Sequence, residues 1–264
     1  MQTKPATVHA PRKRFGQNFL QDTSVVERIV ASINPKSGER FVEIGPGLGA
    51  LTLPLLRRLD YMDVVEIDRD IVAHLRMCPA ADRLTIHEGD ALEFDFAALG
   101  QSLRVVGNLP YNISTPLLFH LTTMAHCVRD AHFMLQREVV ERMCALPGTR
   151  QYGRLSVMLQ YRWRIETLFE VGPGAFRPAP KVWSSVARMV PHPTLPYRAN
   201  DEKVLVEVVM RAFGQRRKTL RNALRELLAL EDFGILGIDS MARAETLGVV
   251  DFVRLSNFIA AGRQ

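Results

Sequence analysis

The sequence predicts an α/β domain, built on a mainly parallel sheet covered on both faces, followed by a small all-helical domain. Three observations carry this. Short apolar runs alternate with helical stretches from Arg40 to Leu135. Three prolines, Pro191, Pro193 and Pro196, then interrupt the pattern, and from Asp201 to Gln264 every apolar repeat is helical. Regular strand–helix alternation implies crossovers between parallel strands, with helices packed on the sheet faces.

The elements follow in order. Val25, Val26, Ile29, Val30 and Ile33 share one side of a helix over Thr23–Ile33, with Asp22 or Thr23 as its N-cap; Asn34-Pro35 and Ser37-Gly38 punctuate its end. Strands are expected at Arg40–Ile44, Met62–Ile67, Leu84–His87, Arg104–Val106 and His132–Leu135. Helices are expected between them at Leu48–Leu59, Arg69–Met77 and Ser114–Met124. Val157–Phe169 and Trp183–Val190 read as two longer strands that can pair antiparallel at one sheet edge. Residues 1–21 are then a basic arm, 22–190 the α/β domain, 191–200 a linker and 201–264 the helical domain.

Composition narrows the class. With 264 residues, 47% hydrophobic and 23% charged, the chain is neither disordered, collagen-like nor a disulfide scaffold. Cys78, Cys127 and Cys144 form no C-x-x-C pair, which fits reduced thiols in a cytoplasmic protein. His74, His87, His120, His126 and His132 show no ligand spacing, so no metal is expected. No apolar run approaches the about 18 residues of a membrane span, and Met1–Arg14 has no apolar core of a secretory signal. Thirty-four Lys and Arg against 28 Asp and Glu leave a net charge of +6, whose placement says more than its sum.

Glu43-Ile44-Gly45-Pro46-Gly47-Leu48-Gly49 leaves the first sheet strand and enters a helix. Glycines here permit a tight turn and a close backbone approach to a ligand at the carboxyl edge of the sheet. The second strand ends in Val65-Glu66-Ile67-Asp68, where a carboxylate on Glu66 can accept hydrogen bonds from both hydroxyls of an adenosine ribose. The third ends in Glu88-Gly89-Asp90, and Asp90 can take the exocyclic amine of the adenine or merely cap a turn. Gly45-x-Gly47-x-x-Ala50 also fits the looser dinucleotide fingerprint, so a methyl donor and a nicotinamide cofactor both remain open at this point.

The fourth strand brings the choice. Val105-Val106-Gly107 leads into Asn108-Leu109-Pro110-Tyr111. The exocyclic N6 of adenine is a poor nucleophile, because its lone pair is delocalised into the ring. Two acceptors, the Asn108 side-chain oxygen and the Leu109 carbonyl, can hold its two N–H groups and favour a pyramidal nitrogen aimed at a sulfonium methyl. Pro110 keeps Leu109 extended, and Tyr111 offers a flat face to an unstacked base. Alone, such a run is a strand end followed by a helix start with Ser114 as cap; joined to the glycine turn, Glu66 and Asp90 in the correct strand order, it reads as a methylation site.

At this point the chain resembles the ribosomal RNA adenine N6,N6-dimethyltransferases of the KsgA type over essentially its whole length. The motifs are Arg12-Lys13-Arg14-Phe15-Gly16-Gln17-Asn18-Phe19-Leu20, Glu43 to Gly49, Asn108 to Tyr111 and Tyr152-Gly153-Arg154-Leu155-Ser156. Phe176-Arg177-Pro178-Ala179-Pro180-Lys181-Val182 and Phe213-Gly214-Gln215-Arg216-Arg217-Lys218-Thr219-Leu220 complete them. The resemblance implies a Rossmann-like methyltransferase sheet with a helical C-terminal domain, S-adenosyl-L-methionine as donor and RNA adenines as acceptors. It further implies that Asn18 and Leu20 close over the cofactor, beside Gly45, Gly47, Glu66, Asp90 and Asn108. After Pro180-Lys181-Val182 the family commonly has Asp; here stands Trp183.

Arg211, Arg216, Arg217, Lys218, Arg221 and Arg225 form a cationic run with no acid until Glu226. On one helix, Arg217, Arg221 and Arg225 recur four apart and share a face, with Leu220, Leu224 and Leu227 on another. A charge run is often only a solvated face; beside an adenine site it reads as a phosphate grip, as do Arg12, Lys13 and Arg14. The expected activity is dimethylation of two adjacent adenosines in a small-subunit (16S) rRNA hairpin loop, on an immature 30S subunit, by a monomer. The rivals are a large-subunit methyltransferase of the macrolide-resistance type and a non-catalytic RNA-binding assembly or transcription factor on the same fold. A dehydrogenase is a remote third.

Overall fold

The computed structural model describes residues 18–215 and 217–263. Their elements are β1 (Phe19–Leu20), α1 (Thr23–Ile33), β2 (Phe41–Ile44), α2 (Thr52–Leu56), β3 (Met62–Glu66), α3 (Arg69–Arg76), β4 (Leu84–Glu88), β5 (Leu103–Asn108), α4 (Ser114–Thr123) and β6 (Val128–Gln136). There follow α5 (Arg137–Cys144), α6 (Arg154–Arg162), β7 (Trp163–Val171), β8 (Phe176–Arg177), β9 (Ser184–Pro191), α7 (Glu202–Gly214), α8 (Leu220–Ala223), α9 (Leu230–Leu236) and α10 (Val249–Gly262).

A seven-stranded sheet runs in the order β4-β3-β2-β5-β6-β9-β7. β4, β3, β2, β5 and β6 are mutually parallel, and β9 lies antiparallel to β6 with Phe133 opposite Ala187. The central strands are buried without alternation, as a sheet covered on both faces requires: all of β2 is buried, as is β5 from Leu103 to Gly107, and the two charged residues among them, Glu43 and Arg104, are both held by partners. α1 supplies one covering layer. Asp22 caps it, accepting from Ser24 N at 2.9 Å and Val25 N at 3.3 Å, and Val26, Ile29, Val30 and Ile33 join Leu55, Leu56, Val64, Ile71 and Val106 in the core. The buried Arg104 on β5 is fully employed, with Nε and Nη2 donating side by side to the Asp130 carboxylate (2.9 and 3.0 Å) and Nη1 donating to Glu39 at 2.7 Å. The expected α/β fold is thus borne out.

The chain divides into two compact units, one of residues up to Arg137 with Glu166–Val190, the other of Glu138–Ile165 with Pro191–Gln264. In the second, α6 packs on α7 and α10, and α7 packs on α10. α7 is started by Asp201, whose carboxylate accepts from Lys203 N at 2.7 Å, and buries Val204, Leu205, Val208 and Val209.

Four expectations change. Val157–Phe169 is not one strand: α6 runs to Arg162 and β7 begins at Trp163. Leu155, Val157, Met158, Leu159 and Tyr161 are all buried, and a segment apolar on every side carries no period that separates helix from strand. The helix start was marked by Gly153-x-x-Ser156, where Ser156 Oγ accepts from Gly153 N at 3.1 Å. The helix expected over Leu48–Leu59 shrinks to α2, because the glycine turn continues into its first part. Glu138–Ile165, placed by sequence in the α/β domain, clusters instead with the C-terminal helices, because α6 buries its apolar surface there. Finally, the cationic run is not one helix: α7 stops at Gly214 and α8 covers only Leu220–Ala223.

Candidate active site

β2 is the first strand of the sheet in sequence, yet it lies in its middle, with β3 on one side and β5 on the other. Chain connections leaving β2 and β5 therefore part at their carboxyl ends and open a crevice, the place where open α/β sheets bind ligands. A cavity of about 480 Å³ occupies it, of a size to take a nucleoside-like ligand. Asn18, Leu20, Gly45, Gly47, Glu66, Asp90, Asn108, Leu109, Pro110 and Tyr111, all singled out from the sequence, line this one cavity.

The turn after β2 is shaped by missing side chains. Gly47 has φ +55°, and a Cβ there would stand 3.2 Å from two ring carbons of Phe19. On β5, a Cβ at Gly107 would stand 2.6 Å from the Ile44 carbonyl oxygen, so β2 and β5 approach this closely only with glycine. Glu66, at the end of β3, is buried; its Oε1 accepts from Asp68 N at 2.8 Å, and burial raises its pKa above the ordinary glutamate value. Asp90 both lines the cavity and turns the chain, its Oδ1 accepting from Leu92 N at 2.9 Å.

Asn108 donates from Nδ2 to the Asn18 carbonyl at 3.0 Å. A carbonyl can only accept, so the amide nitrogen must face it, and Oδ1 is the end left to act as an acceptor. Leu109 is buried and its N–H donates to the Met134 carbonyl at 3.1 Å, tying the motif to β6. Ser114 Oγ donates to the Pro110 carbonyl at 2.9 Å. Tyr111 is held by the tip of its ring, its hydroxyl 2.8 Å from Ser184 Oγ on β9, and burial raises its pKa.

The segment carrying Asn18 is fixed from the other side. β1 pairs antiparallel with β8, Phe19 opposite Arg177 and Leu20 opposite Phe176, and Gln21 N donates to the Ala175 carbonyl at 2.8 Å. Leu20 is buried in the core cluster that also holds Val171, Ala175 and Phe176.

Sequence reasoning missed Glu43, Thr52 and Ser184. Glu43 is fully buried on β2 at the cavity wall, and Thr52 Oγ1 donates to its Oε2 at 2.6 Å. Burial, aided by the neighbouring Glu66 charge, pushes its pKa up to about 7. Its one sequence signal was its place at the head of the glycine motif. Nothing in the local sequence tied Ser184 to Tyr111.

Arg217, Lys218, Arg221 and Arg225 are exposed, spread over a turn, α8 and the residues after it; Arg12, Lys13, Arg14 and Arg216 lie outside the described residues. Arg211 belongs elsewhere, since it pairs with Glu207 at 3.1 Å and with Glu226. Among the described residues no group of three or more His, Cys, Asp or Glu is placed to hold a metal ion, and no helix is long and apolar enough to cross a membrane.

Comparison with known proteins gives three concordant results. The sequence profile of the family described as ribosomal RNA adenine dimethylase matches residues 8–261. The ribosomal RNA small subunit methyltransferase A of Aromatoleum aromaticum is 63% identical over 253 residues, covering 96% of each chain. Among solved structures, a dimethyladenosine transferase from Plasmodium falciparum superposes with a TM-score of 0.77 at 24% identity, covering 89% of this chain and 95% of that one. The 23S rRNA methyltransferase ErmE gives 0.70 at 22% identity, over 92% and 100%. At these identities the two structures speak for the fold alone.

Proposed function

This chain belongs to the ribosomal RNA adenine dimethylase family, and from that premise we propose how its cavity works. The activity is S-adenosyl-L-methionine-dependent dimethylation of N6 on two adjacent adenosines of small-subunit rRNA. The observation that carries the assignment to this cavity is Asn108: its amide is turned by the Asn18 carbonyl so that Oδ1 is the acceptor, at the rim of a cavity that also holds Glu66 and Asp90.

The residues present fit the cofactor. The buried Glu66 carboxylate suits a ribose diol and Asp90 an adenine amine, while Gly45 and Gly47 leave room that side chains would fill; Asn18 and Leu20 close the cavity from the N-terminal side. When bound, S-adenosyl-L-methionine supplies an electrophilic methyl group on a sulfonium. Asn108 Oδ1 and the Leu109 carbonyl accept from the two N–H groups of the target N6 and hold its lone pair out of conjugation. Pro110 keeps the Leu109 carbonyl aimed, and Tyr111, anchored by Ser184, stacks on the extruded base. The alkylated amine is itself acidic and needs no strong base. Arg12, Lys13, Arg14, Arg216, Arg217, Lys218, Arg221 and Arg225 contact phosphates and give affinity without sequence choice.

The finer reading is an immature 30S subunit as substrate, a hairpin loop as target, a monomer as the active form and the cytoplasm as its place. The 63% identical relative is a small-subunit methyltransferase by name, which favours this over the large-subunit rival. The deciding experiment offers the purified protein and labelled S-adenosyl-L-methionine unmethylated small subunits, large subunits and free RNAs. Nucleoside analysis is expected to give dimethyladenosine at adjacent small-subunit positions; label confined to large-subunit RNA would overturn the reading.

A further inference from the structure

The stretch between β8 and β9 is anchored at both ends to the active-site cavity and gives its middle to solvent. At one end Arg177 pairs with Phe19, next to the Asn18 that holds Asn108. At the other, the buried Ser184 holds the Tyr111 hydroxyl. Between them Pro178, Ala179, Lys181, Val182 and Trp183 are exposed. Trp183 is 48% exposed, whereas the chain's other tryptophan, Trp163, is 1% exposed.

An indole left half in water is a large apolar surface with no core to fill, and here it is held ready. The Trp183 carbonyl accepts from Arg137 N at 2.9 Å, and a Cβ on Gly172 would stand 3.7 Å from Cη2 of the ring, so one ring edge lies against that turn. The charges of its own stretch are cationic, since Arg177 and Lys181 are exposed and no acidic residue occurs from Gly172 to Pro191; Glu170, just before that turn, is paired with Arg137 at 3.8 Å. An exposed aromatic among cations is the arrangement that binds single-stranded nucleic acid, by base stacking and phosphate attraction together.

We propose that Trp183 is an RNA-stacking residue, its open face taking an unpaired base next to the target adenosine while Arg177 and Lys181 hold the flanking phosphates. Tyr111 stacks on the base being methylated; Trp183, one residue from the Ser184 that anchors Tyr111, stacks on a neighbour. Every base has a π face, so this contact selects an unpaired, splayed-out loop rather than a sequence. Trp183 adjoins in sequence the Ser184 whose hydroxyl meets Tyr111 at 2.8 Å, and a regular helix with its bases stacked inside offers no open base face to it. The proposal rests on the RNA-methylating reading of the cavity.

Two measurements on the full chain test it. The first is methylation of unmethylated small subunits by wild type, W183A and W183F. The KM for subunits is expected to rise at least about fivefold in W183A, the lower end of what a lost base–aromatic stack costs. W183F is expected near wild type, and kcat at saturating substrate unchanged in both. The second is intrinsic fluorescence during titration with a synthetic RNA hairpin carrying two adjacent adenosines in its loop. Emission is expected to be quenched in wild type and unaffected in W183F, where only the buried Trp163 emits. An unchanged KM in W183A, or wild-type emission that stays constant while the hairpin binds, would overturn the proposal and leave the methylation reading standing. Absence of methylation by wild type would overturn both.

Discussion

The amide of Asn108 has two ends of opposite hydrogen-bonding sense, and the Asn18 carbonyl selects between them. Asn108→Ala removes the oriented acceptor and leaves cations and aromatics in place. The expected result is a loss of kcat of at least about 10²-fold with little change in RNA affinity by filter binding; wild-type turnover would refute the acceptor role. Two buried titratable residues make opposite pH predictions. Glu43, with its pKa pushed up to about 7 by burial, binds its proton more tightly folded than unfolded. Its contribution to stability is therefore present below the unfolded value near 4.5 and lost as pH rises toward 7, a difference on the order of 3 kcal/mol. Glu43→Gln keeps an acceptor for Thr52 and should raise Tm at pH 8 relative to wild type, with the gain fading by pH 5. His132 has the reverse sign. Both its ring nitrogens are buried without a hydrogen-bond partner, and burial lowers its pKa to about 4. The stability of its neutral form is present above pH 6.5 and lost as pH falls toward 4. His132→Phe should flatten the acid limb of a Tm–pH curve; an unaltered limb would show that other groups set it.

At the scale of elements, legibility followed from where the information lies. Glycine turns and strand-end carboxylates are local, so Gly45, Gly47, Glu66, Asp90 and Asn108 were found from sequence and do line one cavity. The Tyr111–Ser184 and Asn18–Asn108 bonds join elements far apart in the chain, and no local pattern records them. α6 was mistaken for strand because its residues are buried on all sides, which erases the period. The cationic run reads as one helix because the four-residue spacing of Arg217, Arg221 and Arg225 overruns both ends of α8, which covers only Leu220–Ala223. The side chains remain exposed on a turn–helix–turn, so their proposed role survives the change of scaffold. Arg217→Ala with Arg221→Ala should weaken RNA binding at low salt and reduce the slope of log Kd against log salt by about 1.5 to 2. Arg211→Ala should act through stability instead, since that guanidinium pairs with Glu207 and Glu226. A salt slope unchanged in the double variant would count against phosphate contact.

Over the whole molecule, the division into two units makes a prediction that the sequence boundary reverses. A cut in the proline-rich stretch after Pro191 looks like a removal of one domain from another. In the structure, Glu138–Ile165 belongs to the same unit as Pro191–Gln264, and α6 packs on both α7 and α10. A fragment ending at Asn200 keeps α6 and loses its partners, exposing surface of Leu155, Val157, Met158, Leu159 and Tyr161 that the full chain buries. Each fully buried side chain of this size contributes about 1.5 to 3 kcal/mol, so uncovering only three of them costs about 5 kcal/mol or more. That is comparable with the entire stability of an ordinary domain, about 5 to 15 kcal/mol. The fragment 1–200 is therefore expected to aggregate, or to unfold without a cooperative transition in calorimetry, although it contains every residue that lines the cavity. The C-terminal helices would then be required for methylation even of a short RNA that never reaches Arg217 or Arg221, because they complete the unit that α6 starts. A soluble 1–200 fragment that binds S-adenosyl-L-methionine and melts cooperatively near the full chain's Tm would show that the α/β unit supports α6 by itself, and that the cut falls between independent domains after all.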